Sequence, residues 1–361
     1  MLSGSSRSFW RFVVAVLVVG PLPAALAQTP GSLDTSFGGV GFVSTAVSTG
    51  AGDDRARAMM LQPDGRIVVA GACDNNFCLV RYHTDGTLDS SFGIGGRVNE
   101  TRASTTLTAY SAALQPDGKI VVVGNCIVGL TATMCAARFM ADGSLDSAFG
   151  TSAGWTLPNV TSGGDVAKAV ALQTDGKIVL AGVCTGFASP TAADFCLVRL
   201  SANGTLDTTF DTDGKVTTTI GTGTDRIHDM LLQPDGKILV GGYSNNGSND
   251  DVALVRLNSN GTLDATFGIV TMAFGNDLDR CWSMTLQPDG KILLGCQTAT
   301  GVLDDFALAR FNSNGTLDTT FGTGGKVVSS LSSLDDIAYA IQLLPDGKIL
   351  LGGLADRKSV V

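Results

Sequence analysis

Two histidines, His83 and His228, and one glutamate, Glu100, stand beside 32 aspartates in a chain of 361 residues. General acid–base chemistry needs a group that titrates near neutrality, or carboxylates whose surroundings separate their pKa values. His228 is the better candidate, set in Asp225-Arg226-Ile227-His228-Asp229; His83 fills a turn slot occupied elsewhere by Met, Ser or Asn and reads as a bystander. A Ser or Cys nucleophile would need one of these beside it, and no Gly-x-Ser-x-Gly string occurs. A calcium-assisted hydrolase site would want Glu, Asn and Asp together, and one Glu leaves little material. Asp211-Thr212-Asp213-Gly214 lacks the further oxygens of a calcium loop, and Asn258-Ser259-Asn260-Gly261 recurs as a turn. Asn-Gly-Thr at Asn203, Asn260 and Asn314 matches a glycosylation signal but follows from turn chemistry. No metal or cofactor is expected.

Composition bounds the elements that must position such groups. With 46 Gly, 10 Pro, 44% apolar and 16% charged residues, and acids that are nearly all Asp, the chain favours turns over helix interiors and has ample apolar content for a core. A mainly helical protein and a disordered one are both excluded. The net charge is −9, and no Lys/Arg cluster follows residue 11, which argues against nucleic acid and an anionic membrane as partners. Residues 1–27 run from Arg7 and Arg11 through the apolar Phe12 to Val19 and close on Ala25-Leu26-Ala27, the order of a signal peptide cut between Ala27 and Gln28. The apolar run is short for a bilayer span, so a secreted or periplasmic protein without membrane insertion after cleavage is expected.

Three strings recur. Leu-Asp-x-x-Phe begins at Leu33, Leu88, Leu145, Leu206, Leu263 and Leu317, a period of 54 to 61 residues. Between these lie Gln-Pro-Asp-Gly-Lys/Arg turns opening at Gln62, Gln115, Gln173 (with Thr174 for Pro), Gln233, Gln287 and, with Leu for Gln, Leu344. In a hairpin Pro presets φ, Asp tolerates the second corner and Gly takes the positive φ that follows. Five units close on an apolar string ending in Arg81, Arg138, Arg199, Arg256 or Arg310; the sixth reaches Ala355 to Val361 where that string should begin. A Thr/Val-rich strand after Phe-Gly, one strand on each side of Pro-Asp-Gly, and one ending at the Arg make four antiparallel strands per unit. The prediction is an all-β protein, a β-propeller of about six four-stranded blades over 28–361, with units 33–87, 88–144, 145–205, 206–262, 263–316 and 317–361 and the last blade incomplete. Its ring is open at one seam, or the next strand lies beyond this sequence.

These strings resemble the delta-60 repeat family, a bacterial repeat built on Leu-Asp-x-x-Phe-Gly, Gln-Pro-Asp-Gly-Lys-Ile and Phe-Ala-Leu-x-Arg-Tyr, over nearly all of residues 31–353. The resemblance implies a propeller in secreted or surface proteins, with no activity assigned to the repeat. Asp211, where Gly follows the Phe of other units, and Thr174 are departures that turns tolerate.

Asp34, Asp89, Asp146, Asp207, Asp264 and Asp318 are read as structural: each can accept N–H bonds two or three residues on and hold its turn shut, the competing reading being a ring of carboxylates for cations. The recurring Arg lies in an apolar strand and is expected to pair with one of them. Cysteines follow the repeat frame. Cys73, Cys126 and Cys184 lie at one position, Cys78, Cys135 and Cys196 at another, and both positions are filled together in three units and neither in the fourth. That selects the disulfides Cys73–Cys78, Cys126–Cys135 and Cys184–Cys196 between the third and fourth strands, with Cys281–Cys296 across a turn between the second and third. Zinc is the rival, without a C-x-x-C pair to support it.

Because every recurring polar residue has a structural use, the sequence predicts a non-catalytic scaffold for an unknown protein or carbohydrate partner, not an enzyme. The alternative is a channel-mouth hydrolase or quinone-type dehydrogenase. Departures from the repeat mark where a ligand would sit: Trp155, Trp282, Tyr243 and the loops 185–194 and 244–251.

Overall fold

The computed structural model describes residues 12–15, 32–48, 53–103, 105–185, 193–299, 301, 303–355 and 358–360. Every regular element among them is a β-strand, and the chain divides into two compact units, Met1–Leu157 and Pro158–Val361. The proposed cleavage point at Ala27 and Gln28 lies outside the described residues.

In the first unit, β1 (Phe12–Ala15) pairs with β2 (Phe42–Thr45). Next come two four-stranded antiparallel sheets: β3 (Asp54–Leu61), β4 (Ile67–Cys73), β5 (Asn76–Tyr82) and β6 (Arg97–Glu100), then β7 (Thr105–Leu114), β8 (Ile120–Val128), β9 (Thr131–Phe139) and β10 (Trp155–Thr156). The second unit has three such sheets. They are β11 (Asp165–Leu172), β12 (Ile178–Thr185), β13 (Ala193–Leu200) and β14 (Lys215–Thr218); β15 (Asp225–Leu232), β16 (Ile238–Asn245), β17 (Asp250–Leu257) and β18 (Ile269–Met272); and β19 (Asp279–Leu286), β20 (Ile292–Ala299), β21 (Asp304–Phe311) and β22 (Lys326–Ser329). A three-stranded sheet of β23 (Ile337–Leu343), β24 (Ile349–Ala355) and β25 (Lys358–Val360) follows.

The strand order corrects one expectation. The Leu-Asp-x-x-Phe turn reverses the chain, so the strand after it pairs with the Arg-bearing strand just before it, as Leu79 does with Val98. Each sheet therefore takes its fourth strand from the next sequence unit, and the first three disulfides join the second and third strands of a sheet. Cys281–Cys296 joins the first and second. All four pairs selected by the repeat frame are disulfides.

Strands β4, β5, β8, β9, β12 and β13 are buried almost end to end, which is why they read as continuous apolar runs rather than alternating ones. Neighbouring sheets close on them: Phe77, Leu79 and Phe92 meet Leu107, Phe139 and Trp155 in the first unit, and Phe195 and Phe210 meet Ile227 and Val255 in the second. Each such fully buried side chain contributes about 2–3 kcal/mol.

The recurring polar residues brace the turns. Gln62 and Arg66 pair across Pro-Asp-Gly, with Gly65 at φ 84° donating to the Gln62 carbonyl and Asp64 accepting from the Arg66 N–H. Asp264 Oδ1 accepts from the Thr266 N–H and hydroxyl, while its Oδ2 takes Arg256 Nε at 2.7 Å and Lys237 Nζ at 3.0 Å. Arg256 also lies over the Phe267 ring and donates to the Ser313 carbonyl of the next sheet. The same Arg–Asp pair recurs at Arg81–Asp89, Arg138–Asp146, Arg199–Asp207 and Arg310–Asp318. Burial opposes the charge of Asp89, but Ser91 and Arg81 hold its pKa at about 2. Asp34 accepts from Ser36.

Candidate functional site

The first strand of each of these six sheets breaks its ladder at one residue. The register skips Arg57, Tyr110, Lys168, His228, Trp282 and Tyr339, each a β-bulge. A bulge re-aims a side chain while the flanking pairs continue, and the residue placed there differs between sheets. Opposite it sits a glycine in five sheets; a Cβ at Gly242 would run into the Arg226 carbonyl. In the fifth sheet Cys296, bonded to Cys281, takes that place.

Within a unit the first strands of neighbouring sheets, here called the inner strands, abut, so consecutive bulge residues meet. In the first unit the Arg57 guanidinium lies 5.7 Å from the centre of the Tyr110 ring. In the second, His228 and Trp282 have centroids 4.2 Å apart, Trp282 meets Tyr339 edge-on at 5.5 Å, and His228 stacks on Tyr243 at 5.5 Å. Trp282 Nε1 donates to Gln297 Oε1, whose amide donates to Asp304. Tyr339 is half exposed and forms the open end of the row. Burial, then the charges of Lys168, Arg226 and Arg280, push the His228 pKa down to about 3, so its ring is neutral; its Nε2 is enclosed and has no hydrogen-bond partner. No carboxylate pairs with His228 among the described residues, so an oriented His–Asp base is not assembled.

Beside this stack is a cavity of about 400 Å³ lined by Arg226, Tyr243, Asn245, Asp250 and Arg280 together with Gly223 and Thr224. Arg280 binds Asp250 through Nε at 2.7 Å and through a terminal nitrogen at 2.6 Å, and lies over the Tyr243 ring at 4.8 Å. Asn245 donates to the other Asp250 oxygen. Burial raises the Tyr243 pKa, so the phenol stays protonated.

Of the residues singled out by departure from the repeat, Tyr243 and Trp282 come together, with His228 between them. Trp155 does not join them: it is a core residue of the first unit, packed on Phe77 at 5.2 Å. Loop 244–251 borders the cavity through Asn245 and Asp250, whereas most of 185–194 lies outside the described residues. His83 is an exposed side chain 3.8 Å from Asp89. Asp211 sits in the left-handed region at φ 52°, a turn residue. Sequence reasoning missed Arg57, Tyr110, Lys168 and Tyr339, although each bulge residue stands five before the residue that opens the Pro-Asp-Gly or Thr-Asp-Gly turn. It also missed Asp54, Asp165, Asp225, Asp279 and Asp336, buried three residues before the bulge, each accepting backbone N–H groups from the segment entering its strand. Among the described residues no group of three or more His, Cys, Asp or Glu could hold a metal ion.

Residues 62–92, 115–149, 173–210, 233–267 and 287–321 match the model of a family described as Domain of unknown function (DUF5122) beta-propeller. Over those segments the chain is similar to a β-propeller repeat family. No curated protein matches the chain. Among solved structures, a protein from Lactobacillus plantarum aligns with TM-score 0.53 and 12% identity over 91% of this chain and 89% of its own. A glucose dehydrogenase aligns with TM-score 0.50 and 12% identity over 85% and 94%, and an ulvan lyase with TM-score 0.45 and 10% identity over 83% and 76%.

At such identities the likeness shows the propeller fold alone. It still corrects the expectation that the chain is not an enzyme: the fold it shares with a glucose dehydrogenase supports catalysis, and the structural use of recurring residues has no bearing on what the bulge positions do. The four disulfides belong to an oxidising, extracytoplasmic environment.

Proposed function

We propose that this is a secreted or periplasmic propeller of the delta-60 type, with residues 1–27 as its leader and 28–361 as its repeats, that binds a saccharide against the inner-strand bulge residues of its second unit. The carrying observation is the contact row His228–Trp282–Tyr339, with Tyr243 stacked on its first member, where the otherwise repetitive chain puts aromatic rings side by side. A sugar presents an apolar C–H face that stacks on such rings and hydroxyls that suit flanking amides and carboxylates; here Gln297, Asn245 and Asp304 supply them. A loop on this rigid support, 244–251, borders the same place.

Calorimetric titration of the purified protein with a panel of neutral and acidic oligosaccharides tests the reading. A saturable heat is expected, weakened about tenfold or more in Trp282→Ala and in Tyr339→Ala. Absence of heat across the panel, or binding that neither substitution changes, overturns it.

A further inference from the structure

The cavity beside the aromatic row carries a charge opposite to that of the chain. Overall the sequence has 33 acids against 24 bases. Here two guanidiniums, Arg226 on β15 and Arg280 on β19, face one buried carboxylate, Asp250. They occupy equivalent positions, two residues before the bulges at His228 and Trp282, so the abutting inner strands set them side by side. Of the four other sheets the first has Arg55 at this position, but the rest have Thr108, Val166 and Ile337, so the pair is not a requirement of the fold.

The two arginines are held differently. Arg280 is fixed by Asp250 and by the face of Tyr243, which sets the plane of its fork. Arg226 lines the cavity beside Tyr243, is exposed, and has no carboxylate within 4 Å among the described residues. One positive charge is therefore left over at the mouth of a cavity that the Tyr243 ring joins to His228 and Trp282. A planar guanidinium offers paired N–H donors to the oxygens of a carboxylate or sulfate, a match that neutral hydroxyls do not reproduce.

We propose that Arg226, supported by Arg280 and Tyr243, binds an oxyanion carried by the saccharide, so that the ligand class is an acidic glycan whose ring lies on the aromatic row and whose carboxylate or sulfate ester enters the cavity. This rests on the saccharide reading of the same site. The oxyanion chemistry is common to uronic acids and sulfated sugars, and the ligand arms below separate them.

The experiment titrates the full chain, its Arg226→Gln variant and its Trp282→Ala variant with three ligands: a neutral oligosaccharide, an oligouronate and a sulfated galactan oligosaccharide. Linear polyphosphate serves as a control without a sugar ring. Melting curves confirm that the exposed Arg226→Gln variant folds. The wild type is expected to bind one acidic ligand about tenfold or more tighter than the neutral one and tighter than polyphosphate, with the preferred arm naming the anion. Arg226→Gln should reduce that ligand to the neutral level, and Trp282→Ala should weaken every sugar. Equal wild-type binding of neutral and acidic sugars, an acidic preference that survives Arg226→Gln, or polyphosphate binding as tight as the acidic sugar each overturns the inference and leaves the saccharide reading standing. Failure of every sugar to bind overturns both.

Discussion

Asp229 on β15 accepts the backbone N–H of Met284 on β19 at 2.7 Å, tying one inner strand to the next through a carboxylate. Ser283 does the same for Ile341 at 3.2 Å, so the three inner strands that carry His228, Trp282 and Tyr339 are stitched one residue beyond each of the first two bulges. The row of rings rests on a braced support.

That brace is pH-dependent. Burial raises the Asp229 pKa from 3.8 to about 6, against the Met284 and Met230 N–H groups that favour its charge. A folded-state pKa above the unfolded one means the native state holds the extra proton between those values. Stability from this group is thus full below about pH 4, falls as pH rises to 6, and is level above. Asp229→Asn should flatten that slope and add about 1–2 kcal/mol at pH 7, less than the full shift represents because Asn can accept only one of the two N–H bonds. Denaturant melts at pH 4, 5, 6 and 7 read it; an unchanged slope refutes it.

His228 gives the opposite slope. Its pKa lies near 3 when folded, against an ordinary 6.5, so stability is present above 6.5 and lost as the pH falls. His228→Phe should remove about 3 kcal/mol of acid-induced loss between pH 7 and 4, which the same melts would show as a reduced difference between those two pH values.

Arg256→Met should destabilise the fold by about 3 kcal/mol, because it leaves Asp264 buried with only Lys237 and orphans the Ser313 carbonyl. Saccharide affinity should not move, since this pair lies outside the aromatic site. Urea midpoints and a binding titration on the same sample separate the two effects.

Asp211→Gly should stabilise by about 0.5–1 kcal/mol, since an L-residue is held there at φ 52° where glycine is at no steric cost. Thermal melting in parallel with Asp213→Gly, a site outside the positive-φ set, tests this: a matching rise in both variants argues against the backbone explanation.

Much of the scaffold was legible because turns need particular residues at fixed places. Pro-Asp-Gly and Leu-Asp-x-x-Phe recur as identities, and the cysteine frame carried the disulfides with it. The order of strands within a sheet was not legible. It depends on which neighbour a strand pairs with after the Leu-Asp-x-x-Phe reversal, and a short strand such as Lys215–Thr218 carries no residue that marks the side it takes. The site was half visible. Trp282 and Tyr243 stood out as large residues where the repeat has none, but Lys168 and Tyr339, in the same column as Trp282, do not repeat its identity. What recurs at the bulge is a backbone geometry marked by Gly242 and its counterparts, which only a column-by-column comparison of the repeats exposes.

Because each four-stranded sheet ends in a strand supplied by the following unit, no sequence unit is by itself a blade. Strand β14 hangs from the sheet of β11 to β13 yet is continuous through its turn with the stretch that enters β15. Tension on one sheet is handed to the next by the covalent backbone itself. Excising a unit at the Leu-Asp boundary would strip an edge from one sheet and leave an orphan edge on another. Engineering this protein by blade exchange therefore requires cuts after the fourth strand, in the segments before Asp225 and Asp279, where the hydrogen-bonded sheet and the contiguous sequence coincide.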